Sequence, residues 1–142
     1  MTNKKIVIEL NEINPDLFEK MAIKSEAVKS IIEKGKQKFS IKDDYESDYL
    51  EPWSQWVSVH TNTPTEVHQI KHLGDIEGLD LPQLWDSEPE RFGFIWGCLN
   101  SKPPINDEIS YFPDPWTQSS KTNRKELKSI ERFLFDITRL YV

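Results

Sequence analysis

Two short apolar runs, far apart in the chain, set the strongest constraint on how it folds. Ile6-Val7-Ile8-Glu9-Leu10 is rich in β-branched residues, and Phe92-Gly93-Phe94-Ile95-Trp96-Gly97-Cys98-Leu99 is almost wholly apolar. Each has the length of a strand and too few polar positions for one wet face, so each reads as a strand buried on both sides in a parallel sheet. Strands so distant in sequence pair in parallel through long crossovers, whose helices cover the sheet. A shorter strand is expected at 39–42, where Phe39-Ser40-Ile41 alternates before an acidic loop. The predicted architecture is α/β: a three-layer α/β/α sandwich with a mostly parallel sheet, including strands 5–10, 39–42 and 92–99, in a single domain over 1–142.

Between the strands the helical signals are local. Asn14 or Asp16 can cap a helix with Pro15 in its first turn, and Leu17, Phe18, Met21, Val28, Ile31 and Ile32 give it an apolar stripe that Gly35 ends. Whether one helix runs through Ser25 or two meet there is open. Pro52 suits the first turn of a helix to Thr61, on whose wheel Ser54, Ser58 and Thr61 share a narrow sector while Trp53, Trp56, Val59 and His60 cover the broad side. The broad side is expected to be buried and the hydroxyls to face outward, with free amides at the N-terminus attractive to phosphate. The other reading, hydroxyls that merely fit beneath a neighbouring strand, is the one that spacing alone favours. His68 and His72 stand four apart and could share zinc if that segment is helical, but no third ligand follows at metal-site spacing. Ile109 to Trp116, ISYFPDPW, reads as a rim loop or edge segment, and Arg124 to Tyr141 as an amphipathic helix.

Composition narrows function by exclusion. A formal charge of −6 argues against nucleic acid or an anionic bilayer as partner. No apolar run approaches the ~20 residues that cross a membrane. With no charged-then-apolar leader, the expected compartment is cytoplasmic. The single cysteine, Cys98, sits in apolar surroundings and reads as a buried thiol.

Strand, polar loop, helix, then PWSQWVSVHTNTPTEVHQI, then GFIWGCLNSKPP and YFPDPWT, is an order that resembles the N-terminal part of the alkaline phosphatase superfamily, in particular its type I phosphodiesterase/nucleotide pyrophosphatase and sulfatase-like branch. The likeness covers most of residues 4 to 117 and rests on the order of the segments more than on any one motif. It implies an alkaline phosphatase-like fold and a metal-dependent phosphoric or sulfuric ester hydrolase. Asn11 falls where that family has a metal-binding Asp, a neutral amide in place of an anion. Counting back from Thr61, the nucleophile position falls on Pro52, which has no hydroxyl; Ser54 is the nearest candidate nucleophile, and Gln55 falls where some members hold a phosphate oxygen with Asn. His68 matches a structural histidine, and Thr61-Asn62 stands for the family's Thr-Gly. The family's remaining metal ligands come from further along a longer chain, so this one is expected to be truncated.

Two functions follow as expectations. The first is a phosphatase- or phosphodiesterase-like hydrolase fragment acting on a small anionic ester, with Ser54 as nucleophile, Asn11 as metal ligand, Gln55 as oxyanion donor and a divalent metal, zinc foremost, as cofactor; an incomplete metal set would leave it weak or inactive alone. The second is a non-catalytic remnant that needs no cofactor and binds an anionic ligand, a sugar or a partner chain, with Trp53, Trp56, Trp116 and Tyr111 as candidate stacking surfaces though mostly core. An open sheet edge predicts self-association or a complementing chain.

Overall fold

A computed structural model describes residues 6–9, 14–35, 51–87, 92–117 and 119–140. It divides into two compact units, Met1–Asp44 and Tyr45–Val142. The fold is mixed α/β, and its described strands form one two-stranded parallel sheet.

In the first unit, α1 (Pro15–Met21) and α2 (Glu26–Lys34) are separate helices. Asn14 caps α1, its Oδ1 accepting from the amides of Asp16 at 3.0 Å and Leu17 at 3.1 Å, which satisfies donors that the first turn leaves over. Ser25 caps α2 through the amide of Val28, so the chain breaks into two helices at this serine, and Gly35 ends the second. The expected strand at 5–10 is not found where it is described: residues 6–9 have no strand, and Ile6, Val7 and Ile8 are exposed. Apolar content alone does not make a strand; it needs a neighbour to take its backbone hydrogen bonds, and among the described residues none pairs with it. The expected strand at 39–42, and Asn11, lie outside the described residues.

The second unit holds α3 (Pro52–Thr61), the single turn α4 (Thr65–His68), strands β1 (Gly93–Trp96) and β2 (Ile109–Phe112), and α5 (Lys128–Thr138), with 3-10 turns at Asp75–Gly78, Leu84–Ser87 and Lys125–Leu127. β1 falls within the predicted 92–99. Its partner is β2, the segment read as a rim loop or edge segment, which pairs in parallel with Gly93 opposite Ile109 and Trp96 opposite Phe112. Pro113 and Pro115 do not prevent this, because they follow the last paired residue.

The pleat gives the sheet two unlike faces. On one, Ile95, Ile109 and Tyr111 are buried against Trp85 and Cys98. On the other, Phe94 and Trp96 stack with ring centroids 5.7 Å apart, and Trp96 lies over Phe112 at 4.3 Å and 10°. A second cluster, Val57, Ile70, Ile76 and Leu79 with Leu81, packs α3 against the chain that follows it. His60, between Trp56 and Trp85 at centroid distances of 5.8 and 5.1 Å, carries ring contacts from α3 to Trp85 of the other cluster. Among the described residues no helix is long and apolar enough to cross a membrane.

The outer edge of β2 is closed by side chains. Asn123 accepts from the amide of Tyr111 at 2.9 Å and donates to the carbonyl of Ile109 at 2.8 Å, while Thr122 donates to the carbonyl of Tyr111 at 2.6 Å. These bonds occupy the groups that another strand would use.

Candidate functional site

The hydroxyl stripe of α3 points inward, as the second of the two readings has it, although what covers it is the chain that follows the helix rather than a strand. Ser54 is 0 % exposed and its Oγ donates to the carbonyl of Ile70 at 2.9 Å, with Thr65 Oγ1 at 3.4 Å. Ser58 Oγ meets His68 Nε2 at 2.9 Å, and Thr61 Oγ1 donates to Val57 O and meets Thr63 Oγ1, both at 2.7 Å. The physical reason is the company these hydroxyls keep. Residues 63–70 fold back along α3 and supply carbonyl, hydroxyl and imidazole partners, so small polar groups bury with their hydrogen bonds made.

His68 belongs to this packing rather than to a metal site. Its Nδ1 accepts the amide of Ile70 at 3.0 Å, so the neutral ring carries its proton on Nε2 and donates it to Ser58 Oγ. Burial holds its pKa below the usual 6.5. The expected His68/His72 pair does not form on one helix, because Gln69 turns left-handed at φ 55° and ends α4, leaving His72 in an exposed turn where its amide bonds Asp75 Oδ2.

The start of α3 is poorer in free donors than its sequence suggests. Pro52 has no N–H, and the amides of Ser54 and Gln55 both bond the carbonyl of Glu51, at 3.0 and 3.2 Å. Glu51 itself supplies no side-chain cap and sets a carboxylate at the entrance. Gln55 is exposed on the first turn. Thus Ser54 and Gln55 stand on one helix, the first committed inside and the second outside.

The densest polar constellation lies elsewhere. Asn100, fully buried and left-handed at φ 50°, accepts from the amide of Gly74 at 3.0 Å and donates to the carbonyls of Trp53 at 3.1 Å and His72 at 3.3 Å. Its own amide donates to Thr117 Oγ1 at 2.9 Å. Gly74, at φ 95°, needs the freedom glycine has there. Beside it, Tyr111 donates its hydroxyl to the carbonyl of Ser101 at 2.8 Å, and Ser120 Oγ bonds the same oxygen. Burial pushes the phenol up to about 12 against the smaller opposing pull of Ser101 and Ser120. Asp114 is also buried, which pushes its carboxyl up to about 6, partly offset by the amide of Trp116 and by Thr117. Asn100, Gly74, Ser101, Asp114, Thr117 and Ser120 were not singled out by the sequence as a site, and Tyr111 was named only as a stacking surface. Asn100 reads there as an ordinary turn residue, because its partners lie 17 to 47 positions away.

No family model, curated protein or solved structure matches the chain. What it can do rests on its own side chains. Within Tyr45–Val142 a ring nitrogen of His60 and Sγ of Cys98 come within 4.8 Å of each other, a nitrogen and a sulfur donor of the kind zinc takes. Among the described residues of that unit no third His, Cys, Asp or Glu joins them, and a zinc centre takes three or four protein ligands. Of the stacking surfaces expected, Tyr111 is core and Trp116 is 46 % exposed; the other exposed Phe and Trp rings among the described residues are Phe92, Phe94 and Trp96, at 82, 56 and 56 %, and Phe133 at 62 %.

Proposed function

We propose that this chain is a non-catalytic portion of an alkaline phosphatase-like three-layer fold, and that it works by binding another polypeptide through the aromatic face of β1. The parallel pairing of β1 with β2 and the Pro-Trp helix ahead of them are in keeping with that fold. The observation that carries the reading is the exposure of three alternating aromatic rings, Phe92, Phe94 and Trp96, beside a sheet whose other face is packed. A contiguous aromatic patch is costly in water and is characteristic of surfaces that another chain covers. α5 repeats the pattern on a smaller scale, with Ile130 and Phe133 outward. In isolation the partner is a second copy.

The hydrolase reading has less support. A nucleophile must reach substrate, and Ser54 is wholly buried with its proton donated to Ile70 O. Two measurements test the proposal. Light scattering over a concentration series should show association that Phe94→Ser with Trp96→Ser abolishes while circular dichroism is unchanged; a monomer at every concentration would overturn it. Zinc-supplemented turnover of bis-nitrophenyl phosphate should be absent from both wild type and Ser54→Ala, and metal-dependent turnover lost in the variant would restore the enzyme.

A further inference from the structure

The geometry points to a second site, independent of the reading given to β1 and α3: a cleft along α5 that takes a small phosphate-bearing anion. The cleft measures about 370 Å³ and is lined by Lys121, Lys128, Arg132 and Arg139, with Asp136 at its side. Its floor is Phe135, 7 % exposed.

Helical spacing makes the array. Lys128, Arg132 and Arg139 lie four and seven positions apart, so they rise from one face of α5 on either side of Phe135. Lys121 reaches across from the preceding loop and sets its ammonium 4.4 Å from the centre of the Phe135 ring. Of the two acids on the cleft, Glu131 is turned inward, buried, with Oε1 taking the amide of Thr122. Lys128 and Arg132 reach no carboxylate within 4.0 Å among the described residues.

The lining carries four cations and two carboxylates, four less two leaving a net charge of +2, which stands against the prevailing sign in a chain of net charge −6. A dianion balances that excess. Arginine offers a planar fork that matches phosphate oxygens, and lysine a mobile point charge, so the pair suits a phosphate better than a monoanionic carboxylate. Volume sets the size of the ligand. The cleft is near the lower end of small-molecule sites, which suits a single phosphate ester and is too short to follow a nucleic acid strand. The ester could be free in solution or the headgroup of a lipid, and the chemistry at the cleft is the same.

The test uses the full chain. Calorimetric titration with inorganic phosphate and with glycerol 3-phosphate should give saturable binding that weakens as salt is added. Lys128→Gln with Arg132→Gln, both exposed positions, should weaken it by at least about tenfold with the thermal midpoint unchanged. Asp136→Asn removes a facing negative charge and should tighten binding by about threefold, a gain that misfolding cannot imitate. Ser54→Ala should leave it unchanged. Flotation with phosphatidic acid vesicles against phosphatidylcholine vesicles separates the sources: binding to the first alone, at lower concentrations than the free ester, makes the ligand a headgroup, and binding to the free ester alone makes it soluble. No binding of either kind by wild type, or equal binding by the double glutamine variant, overturns the site.

Discussion

Replacing Asn100 by alanine would remove three hydrogen bonds from one fully buried side chain and leave a non-glycine residue at φ 50°. The amide of Gly74 and the carbonyls of Trp53 and His72 would be stranded, so the loss of stability should reach about 3 kcal/mol, read as a shift in the urea midpoint by tryptophan fluorescence. Asn100→Gly should recover about 1 kcal/mol of that, because glycine relieves the left-handed backbone but restores no bond. Asp114 gives a prediction of opposite sign. Its carboxyl is raised in the folded state from an ordinary 3.8 to about 6, so the native state binds its proton more tightly than the unfolded chain. The associated stability is full below 3.8 and lost as pH rises through 6, up to about 3 kcal/mol. Asp114→Asn keeps an acceptor for the amide of Trp116 without the charge. Denaturation series at pH 5 and 7.5 should therefore differ less in the variant than in wild type.

Among the elements, α3 is held by its hydroxyls as well as by Val57 and its aromatic rings. Ser54→Ala strands the carbonyl of Ile70 and should cost about 1 to 2 kcal/mol without unfolding the chain. His68 adds a pH dependence. Its pKa is depressed on folding, so the stability it contributes is present above 6.5 and falls as pH drops below that value towards the lower folded pKa. In an Asp114→Asn background this fall should appear alone, and an NMR titration should find His68 neutral at a pH where an exposed histidine is charged. The wheel of α3 was legible: Ser54, Ser58 and Thr61 do share a face. That this face turns inward was one of two readings, and hydropathy could not add to it, because it ranks tryptophan above serine and cannot see that residues 63–70 return with partners for hydroxyls. The cap at Asn14, one of two candidates there, and the apolar run at β1 were readable for the opposite reason, since their signals lie within a few residues of the structure they make, whereas the break at Ser25 was left open.

At the scale of the whole molecule, the sequence supported an α/β chain with parallel strands and mislocated one of them. β2 hides in ISYFPDPW because its burial is decided by Tyr111 reaching Ser101 and by Asn123 reaching back to the strand, contacts 10 to 14 positions long. The helix that carries the candidate site was placed correctly along the chain, and Ser54 on it is bonded into the packing. Asn123→Ala should expose the amide of Tyr111 and the carbonyl of Ile109, cost about 2 kcal/mol, and raise the tendency to aggregate on heating, measured by turbidity. That side chain also sets a direction. A single carboxamide and a threonine hydroxyl stand where a third strand would lie, so among the described residues the sheet is terminated on the side of β2. A polypeptide that lengthens it there must first displace them, whereas one that arrives beyond β1 comes to the strand that carries Phe94 and Trp96, which gives the sheet a front and a back.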